Sequence, residues 1–365
     1  MNEATITPST LTIGLDLGDR KSHVCVLDAV GEVVEESRIA TTPQALGKRF
    51  ENLAPTRIAL EVGGHSAWVC ELLKELGHEV LVANARKLRM IFQSDSKNDR
   101  LDAEQLARVA RLDPKLLYPI EHRERSARAD LAVMRSRDAL VTTRTRLVNH
   151  IHGVLKSFGQ RVKKYPAPGF HRQVADQIPD ELRPALQPIL DTLAALAERI
   201  LGFDRELRRL STTVYPETAL LNQVNGVGPI TALCYVLTIE DPGRIERSRN
   251  VGAYLGLRPR QRQSGQRDPE LRITKAGDRN LRRLMVQCAQ YILGPFGQDS
   301  DLRRWGLGLA GRGGKTAKKK AVIAVARKLS VLLHRLWLTG EVYEPLRNTH
   351  RRAAAQAHEP AALAG

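Results

Sequence analysis

The chain has 365 residues, 42% hydrophobic and 27% charged, which excludes a disordered or fibrous polypeptide and leaves room for two or three folded domains. Lys and Arg number 57 against 40 Asp and Glu, a formal charge of +17 and a pI near 10.1, so the surface favours polyanions, of which nucleic acid is the commonest. No apolar span or basic amphipathic helix points to a membrane, the N-terminal MNEATITPST has no signal-peptide pattern, and four scattered cysteines without a Cys-x-x-Cys pair exclude a zinc ribbon or disulfide framework and fit a reducing cytoplasm.

In chain order, residues 11–17 alternate strictly. Leu11, Ile13, Leu15 and Leu17 share one strand face, and Thr12, Gly14, Asp16 and Gly18 share the other. Residues 23–27 and 33–40 read as two further strands joined through Gly31, and Thr42-Pro43 opens a helix. RIALEV at 57–62 is a fourth strand, a helix spans about 66–76, residues 78–83 form a fifth strand, and helices begin near Lys87 and at Asp99. Three consecutive strands followed by alternating helix and strand is the order of an α/β RNase H-like fold.

The middle reads as helical. Leu140, Val141, Leu147, Val148, Ile151, Val154, Leu155 and Phe158 form one apolar stripe, and a Pro/Gly-rich stretch at 165–188 reads as a loop or hinge. Leu186, Leu193, Ile200 and Leu207 then recur every seven residues, with Ile189, Leu196, Phe203 and Leu210 three places after them. That is the a/d pattern of a coiled coil, although a hairpin packing on itself satisfies it equally. Pro188 is expected to fray or end this helix on its N-terminal side. Residues 219–343 read as a mostly helical third unit, and the Ala-rich end from Arg351 as a disordered tail.

Four acids carry the first chemical signal. Asp16 lies between Gly14 and Gly18 on its strand face, and small neighbours imply open space over it. Glu61 ends a strand beside Gly63-Gly64, where open α/β sheets bind ligands. Asp99 and Asp102, three apart, share one helical face and repel unless a cation lies between them, although alone they would pass for helix-capping acids. Together the four point to a hard divalent-metal site for Mg²⁺ or Mn²⁺.

Two basic regions follow. The turn Val224-Asn225-Gly226-Val227-Gly228-Pro229 resembles a helix-hairpin-helix, which offers backbone N–H groups to DNA phosphate, though a plain Gly-rich connection reads the same way. Between Arg258 and Arg283 nine Lys or Arg stand against three acids. They include Arg258, Arg260, Arg262, Lys275 and Arg279, and they surround Ser264-Gly265; by spacing alone Ser264 is one polar loop residue among many. Between Leu302 and Leu338 there are ten Lys or Arg and no acid, among them Lys315, Lys318, Lys319 and Lys320, a candidate phosphate track. Gly314-Lys315-Thr316 is not a P-loop, because the leading glycine would fall on Leu309 and no strand precedes it.

The pieces IGLDLG, ALEVGG, KNDRLDAEQLA, NGVGPITA, AYLGLRPRQRQSG, ITKAGDRNLRRLM and KKKAVIAVARKL resemble, in order and over residues 12–345, the DEDD-type serine transposases of insertion sequences, the RNA-guided bridge recombinases. The resemblance implies a Holliday-junction-resolvase-like, RNase H-like domain over residues 1–120, in which Asp16, Glu61, Asp99 and Asp102 bind Mg²⁺. It implies a helical coiled-coil region joining protomers over 121–215, a mostly α C-terminal transposase domain with its nucleophilic serine at Ser264 over 216–345, and a disordered tail over 346–365. The implied partners are element and target DNA, a noncoding guide RNA and one or three further copies of the chain, as homodimer or homotetramer, in a bacterial cytoplasm at the nucleoid. The implied reaction is attack by Ser264 on a phosphodiester, a transient covalent protein–DNA link, and religation, with the acidic and serine domains meeting over one DNA strand. Asp278 departs from the family, where Asn is commoner, and should still cap a helix. Two alternatives stay open: a junction-cutting nuclease using the four acids with water, and a non-catalytic nucleic-acid-binding protein.

Overall fold

A computed structural model describes residues 11–85, 87, 99–263, 269 and 271–351. The chain divides into two compact units, residues 1–123 and 124–365.

The first unit is a mixed α/β sheet. Strands β1 (Thr12–Asp16), β2 (Lys21–Leu27) and β3 (Val33–Ala40) run antiparallel; helix α1 (Pro43–Phe50), strand β4 (Arg57–Glu61), helix α2 (Ser66–Glu75) and strand β5 (Glu79–Ala83) follow, then helix α3 (Asp99–Leu112). The sheet order is β3-β2-β1-β4-β5, with β4 parallel to both β1 and β5. All five expected strands are present; the helix expected from about Lys87 lies largely outside the described residues. Thr42 caps α1 by accepting from the Ala45 N–H at 3.2 Å, with Pro43 at the first helical position.

The strict alternation of β1 has a different basis from the expected one. Ile13 and Leu15 pack with Leu46 and Phe50 of α1 and Val69 and Leu73 of α2. The opposite face is not open. Gly14, Cys25, Ala59 and Ala83 make it shallow, and α3 lies on it through Ala103, Ala107 and Ala110, all buried. A Cβ on Gly14 would fall 1.9 Å from the Ala103 carbonyl oxygen. The glycine therefore admits a helix backbone rather than leaving a void beside Asp16.

The second unit is helical among its described residues. Its long hairpin pairs α4 (Arg125–Ser157) with α6 (Arg183–Thr213). Ile151 and Leu155 of α4 meet Leu186, Leu190 and Leu193 at one end, while Leu131 and Met134 join Leu207 and Leu210 in the main core at the other. Arg137 and Asp204 bridge the helices at 2.6 Å. The heptad residues Leu186, Leu193, Ile200 and Leu207 are thus buried within the chain, whereas Ile189, Leu196 and Phe203 are only half-buried. The 165–188 stretch is not a hinge. It forms a short helix α5 (Phe170–Val174) and two 3₁₀ turns whose Phe170, Val174, Ile178 and Leu182 close the hairpin's end. Pro188 does not end the helix either; α6 runs through it from Arg183. As the sixth residue of the helix it forfeits the bond to the Pro184 carbonyl, and the burial of Leu186 and Leu190 on either side outweighs that.

The remaining helices are α7 (Thr218–Asn222), α8 (Pro229–Ile239), α9 (Val251–Tyr254), α10 (Arg279–Leu293), α11 (Asp301–Ala310) and α12 (Gly314–Thr339). Helix α8 is buried from Thr231 to Ile239 and forms the axis of this core, against α10 and the apolar stripe Val325, Leu329, Leu333 and Leu336 of α12. Residues beyond Pro345 stay on the unit as far as Arg351: the Asn348 N–H and the Thr349 hydroxyl both donate to Asp301. The rest of the expected tail, 352–365, lies outside the described residues. All four cysteines are buried free thiols, and no helix among the described residues is long and apolar enough to cross a membrane.

Candidate functional site

Asp16 is the last residue of β1, and Asp99 and Asp102 occupy the first turn of α3. The close seat of α3 on Gly14 brings that turn to the carboxyl end of β1. One carboxylate oxygen from each of Asp16, Asp99 and Asp102 lies within 4.8 Å of the others. Asp16 and Asp102 are half-buried and Asp99 is exposed. Three like charges this close repel, while the helix N-terminus offsets part of that and a cation would offset more. An all-oxygen donor set fits a hard divalent ion of the Mg²⁺ or Mn²⁺ class.

Glu61 is the fourth acid expected here. Leu15 and Leu60 are register partners in the parallel β1–β4 pair, so Asp16 and Glu61 follow them at the same ends of adjacent strands. Glu61 nevertheless lies outside the set that closes within 4.8 Å. Gly63 and Gly64, just beyond it, have no atom of the described residues within 4 Å of where a Cβ would stand.

Beside the trio are groups that patterning alone did not single out. His23 is the register partner of Asp16, and Arg38 that of His23. With Glu36, Cys25, Arg100 and Ala103 they line a groove of about 310 Å³. Arg100 of α3 holds Glu36 at 2.9 Å. Burial, then the carboxylates of Glu104 and Glu36, push the Cys25 thiol up to about 11, so it lines the groove un-ionised. The available signal was the strand period, which puts Asp16, His23 and Arg38 on one face once the register is known.

In the second unit, Ser264 and Gly265 lie outside the described residues, but the segments flanking them are held firmly. The Arg260 N–H donates to the Arg272 carbonyl, the Thr274 N–H to Arg258 and the Lys275 N–H to Gly256. Gly256 and Gly277, with φ of +69° and +70°, let the two loops touch: a Cβ on Gly256 would sit 2.2 Å from the Ala276 nitrogen, and one on Gly277 2.1 Å from the Tyr254 oxygen. Arg282 clamps both loops by donating to the Leu255 and Ala276 carbonyls. Arg258, Arg260, Arg262, Lys275 and Arg279 are exposed around this base. Asp278 caps α10 by accepting from the Leu281 N–H at 2.8 Å. In the hairpin-like turn, Gly226 has a φ of +92° and its Cβ position faces Tyr291 at 2.9 Å, so this glycine is required by packing on α10. Gly228 is exposed and precedes the N-terminus of α8. Lys315, Lys318, Lys319 and Lys320 are all exposed on the first turns of α12.

A sequence model of DEDD transposases of the IS110 kind matches residues 13–159, and one of the transposase IS116/IS110/IS902 family matches residues 218–299. The chain is 30% identical over 290 residues to the transposase for insertion sequence element IS1328 of Yersinia enterocolitica, spanning 78% of this chain and 85% of that protein. The chain belongs to the IS116/IS110/IS902 family of transposases. It is also 29% identical over 343 residues to a putative transposase of Sinorhizobium fredii, and 27% identical over 340 residues to a probable family 20 transposase of Pseudomonas aeruginosa. These alignments cover 91% of this chain in both cases, and 85% and 98% of the respective relatives. As an insertion-sequence transposase the chain binds and recombines DNA, which accounts for its excess of positive charge.

Proposed function

We propose that this transposase cuts and rejoins DNA strands through two sets of residues, an acidic site for Mg²⁺ or Mn²⁺ at Asp16, Glu61, Asp99 and Asp102, and Ser264 as nucleophile. The observation that carries the reading is the closure of three carboxylates from a strand end and a helix start to within 4.8 Å. The sheet order β3-β2-β1-β4-β5, flanked by helices on both faces, supports an RNase H-like, Holliday-junction-resolvase-like reading of the first unit. A bound divalent cation would supply charge stabilisation at the scissile phosphate.

Ser264 Oγ attacks phosphorus. The Oγ–P bond forms as the bond from phosphorus to the leaving sugar oxygen breaks, and the proton lost from Oγ balances the one that oxygen takes up. Attack by a sugar hydroxyl on the serine ester reverses the step and rejoins the strand without net hydrolysis. The exposed Arg258, Arg260 and Arg262, on the braced segment that precedes the serine in sequence, support the reading by supplying positive charge for a phosphate. Gly226 and Gly228 before α8 and the lysines opening α12 serve as phosphate contacts. The element's noncoding RNA guides target choice, and protomers associate as a homodimer or homotetramer. Both of these features rest on the family resemblance of the motifs.

The test is a denaturing gel of full-length protein with labelled DNA and Mg²⁺. Asp102→Asn is expected to abolish cleavage and leave RNA binding intact. Ser264→Ala is expected to abolish both cleavage and the covalent protein–DNA adduct. Cleavage by wild type without an adduct, matched by Ser264→Ala, would make water the nucleophile and the chain a resolvase-like nuclease.

A further inference from the structure

We propose that the DNA strand reaching the acidic trio crosses β2 and β3 in the groove beside Asp16, with Arg38 as its phosphate contact. The inference rests on reading the trio as the cleavage site and specifies how the substrate approaches it.

Three observations converge on this groove. Residues directly opposite on an antiparallel pair have Cβ atoms about 4.5–5.5 Å apart on one face. Asp16, His23 and Arg38 are successive register partners, so they form one row across three strands, from carboxylate through imidazole to guanidinium. The row leads from the acids toward positive charge, the direction a phosphate backbone would follow away from a metal site. Second, the row is not flat surface. Its His23 and Arg38 line the 310 Å³ groove together with Arg100 and Ala103 of α3, next to the strand end that carries Asp16. That volume is at the low end of the roughly 300–1,000 Å³ of small-ligand pockets, so the substrate inferred for it is a single strand. Third, the charges differ in their engagement. Arg100 is held by Glu36 at 2.9 Å, while Arg38, exposed at the mouth of the groove, pairs with no acid among the described residues. A planar guanidinium in that position matches the fork geometry of a phosphate.

β3 also supplies its own control. Glu36 and Arg38 face the groove, whereas Glu35 pairs with Arg49 of α1 on the other face at 2.8 Å. Binding of full-length protein to a single-stranded DNA oligomer is measured against salt. Arg38→Ala is expected to weaken binding about threefold, the size of an exposed charge contact, and to lower the slope of log K against log salt by about 0.7, one single-strand phosphate. Arg38→Lys restores the slope. Glu36→Gln removes a negative charge from the groove, so affinity rises about threefold. Glu35→Gln changes neither quantity. Mn²⁺ titration and melting temperature stay at wild-type values in all four variants. Wild-type slope and affinity in Arg38→Ala, an equal response to Glu35→Gln and Glu36→Gln, or an Arg38→Ala effect on an RNA oligomer but not on DNA would each overturn the proposal. Asp102→Asn is run in parallel. If it still cuts DNA, the reading of the trio fails while the groove result stands by itself.

Discussion

At the scale of single residues, the glycines around the acids separate packing from access. Gly14 is required by packing, because any Cβ there collides with the backbone of α3 at Ala103 and Ala107. Gly14→Ala is expected to destabilise the first unit by about 1–3 kcal/mol, as overpacking does, and to weaken Mn²⁺ binding by pushing Asp99 and Asp102 away from Asp16. Thermal melts and a Mn²⁺ titration check this, and wild-type values for both would refute it. Gly64 meets no such obstacle and does not have a left-handed φ. Gly64→Ala should therefore leave stability unchanged or raise it by about 0.4–1 kcal/mol through the unfolded chain. If Gly64→Ala slows cleavage in a stable protein, its small size serves the substrate. The acids themselves were legible, since residue type and the three-residue spacing of Asp99 and Asp102 survive any fold. What filled the face beside Asp16 was not, because a glycine in a strand signals close approach without saying what approaches. The partner is a helix more than eighty residues away in sequence.

At the scale of elements, legibility followed period. Four of the five strands of the first unit alternate or run apolar, β3 being the polar exception, and all five appear where they were expected. Register is another matter, and it alone reveals the row Asp16, His23, Arg38. Proline and glycine misled in the second unit, where burial of Phe170, Val174, Ile178 and Leu182 overrides a composition typical of loops. The seven-residue repeat does lie on one helix, but its a positions close the hairpin inside the chain, which leaves the half-buried Ile189, Leu196 and Phe203 for a seam between protomers along α6. Leu196→Glu with Phe203→Glu is expected to lower the mass seen by light scattering with helicity kept; unchanged mass would exclude association through α6. His334 illustrates a constraint no pattern shows. It is fully buried, its Nε2 donating to the Pro242 carbonyl and its Nδ1 accepting from the Ser248 hydroxyl, both at 3.0 Å. Burial holds its pKa below the ordinary histidine value, against a smaller upward pull from the Pro242 carbonyl. The unfolded chain then takes up the proton first. The contribution of His334 is complete above a pH of about 6.5 and is lost as pH falls from there toward the lowered folded value. Burial shifts His171 the same way, so His334→Gln should reduce, not erase, the loss of melting temperature between about pH 6.5 and 5. An identical acid-side slope in the variant would refute this role for His334.

At the scale of the whole molecule, the +17 charge is distributed by function and not spread evenly. The acidic trio lies in the first unit, and the densest acid-free run, ten cations between Leu302 and Leu338, lies in the second. Within α12 the two halves do different work. The buried stripe starts at Ala321 and serves the core, whereas Lys315, Lys318 and Lys319 precede it and are exposed. Neutralising these three should not unfold the unit. It should remove long-range attraction for DNA and whatever direct phosphate contacts they make. The two effects separate in a salt titration. A lysine that touches a duplex phosphate releases a counterion on binding, and its loss lowers the slope of log K against log salt by about 0.9; a lysine acting only through the distant field is screened beyond about 10 Å at 0.1 M salt and leaves that slope nearly unchanged. Replacing Lys315, Lys318 and Lys319 together with Gln is expected to reduce the slope by between about one and three such steps, with an unchanged melting temperature. Binding that weakens at low salt alone, with the slope intact, would show that these lysines steer DNA without touching it. The phosphate contacts of the second unit would then have to be sought at the α8 N-terminus and among Arg258, Arg260 and Arg262.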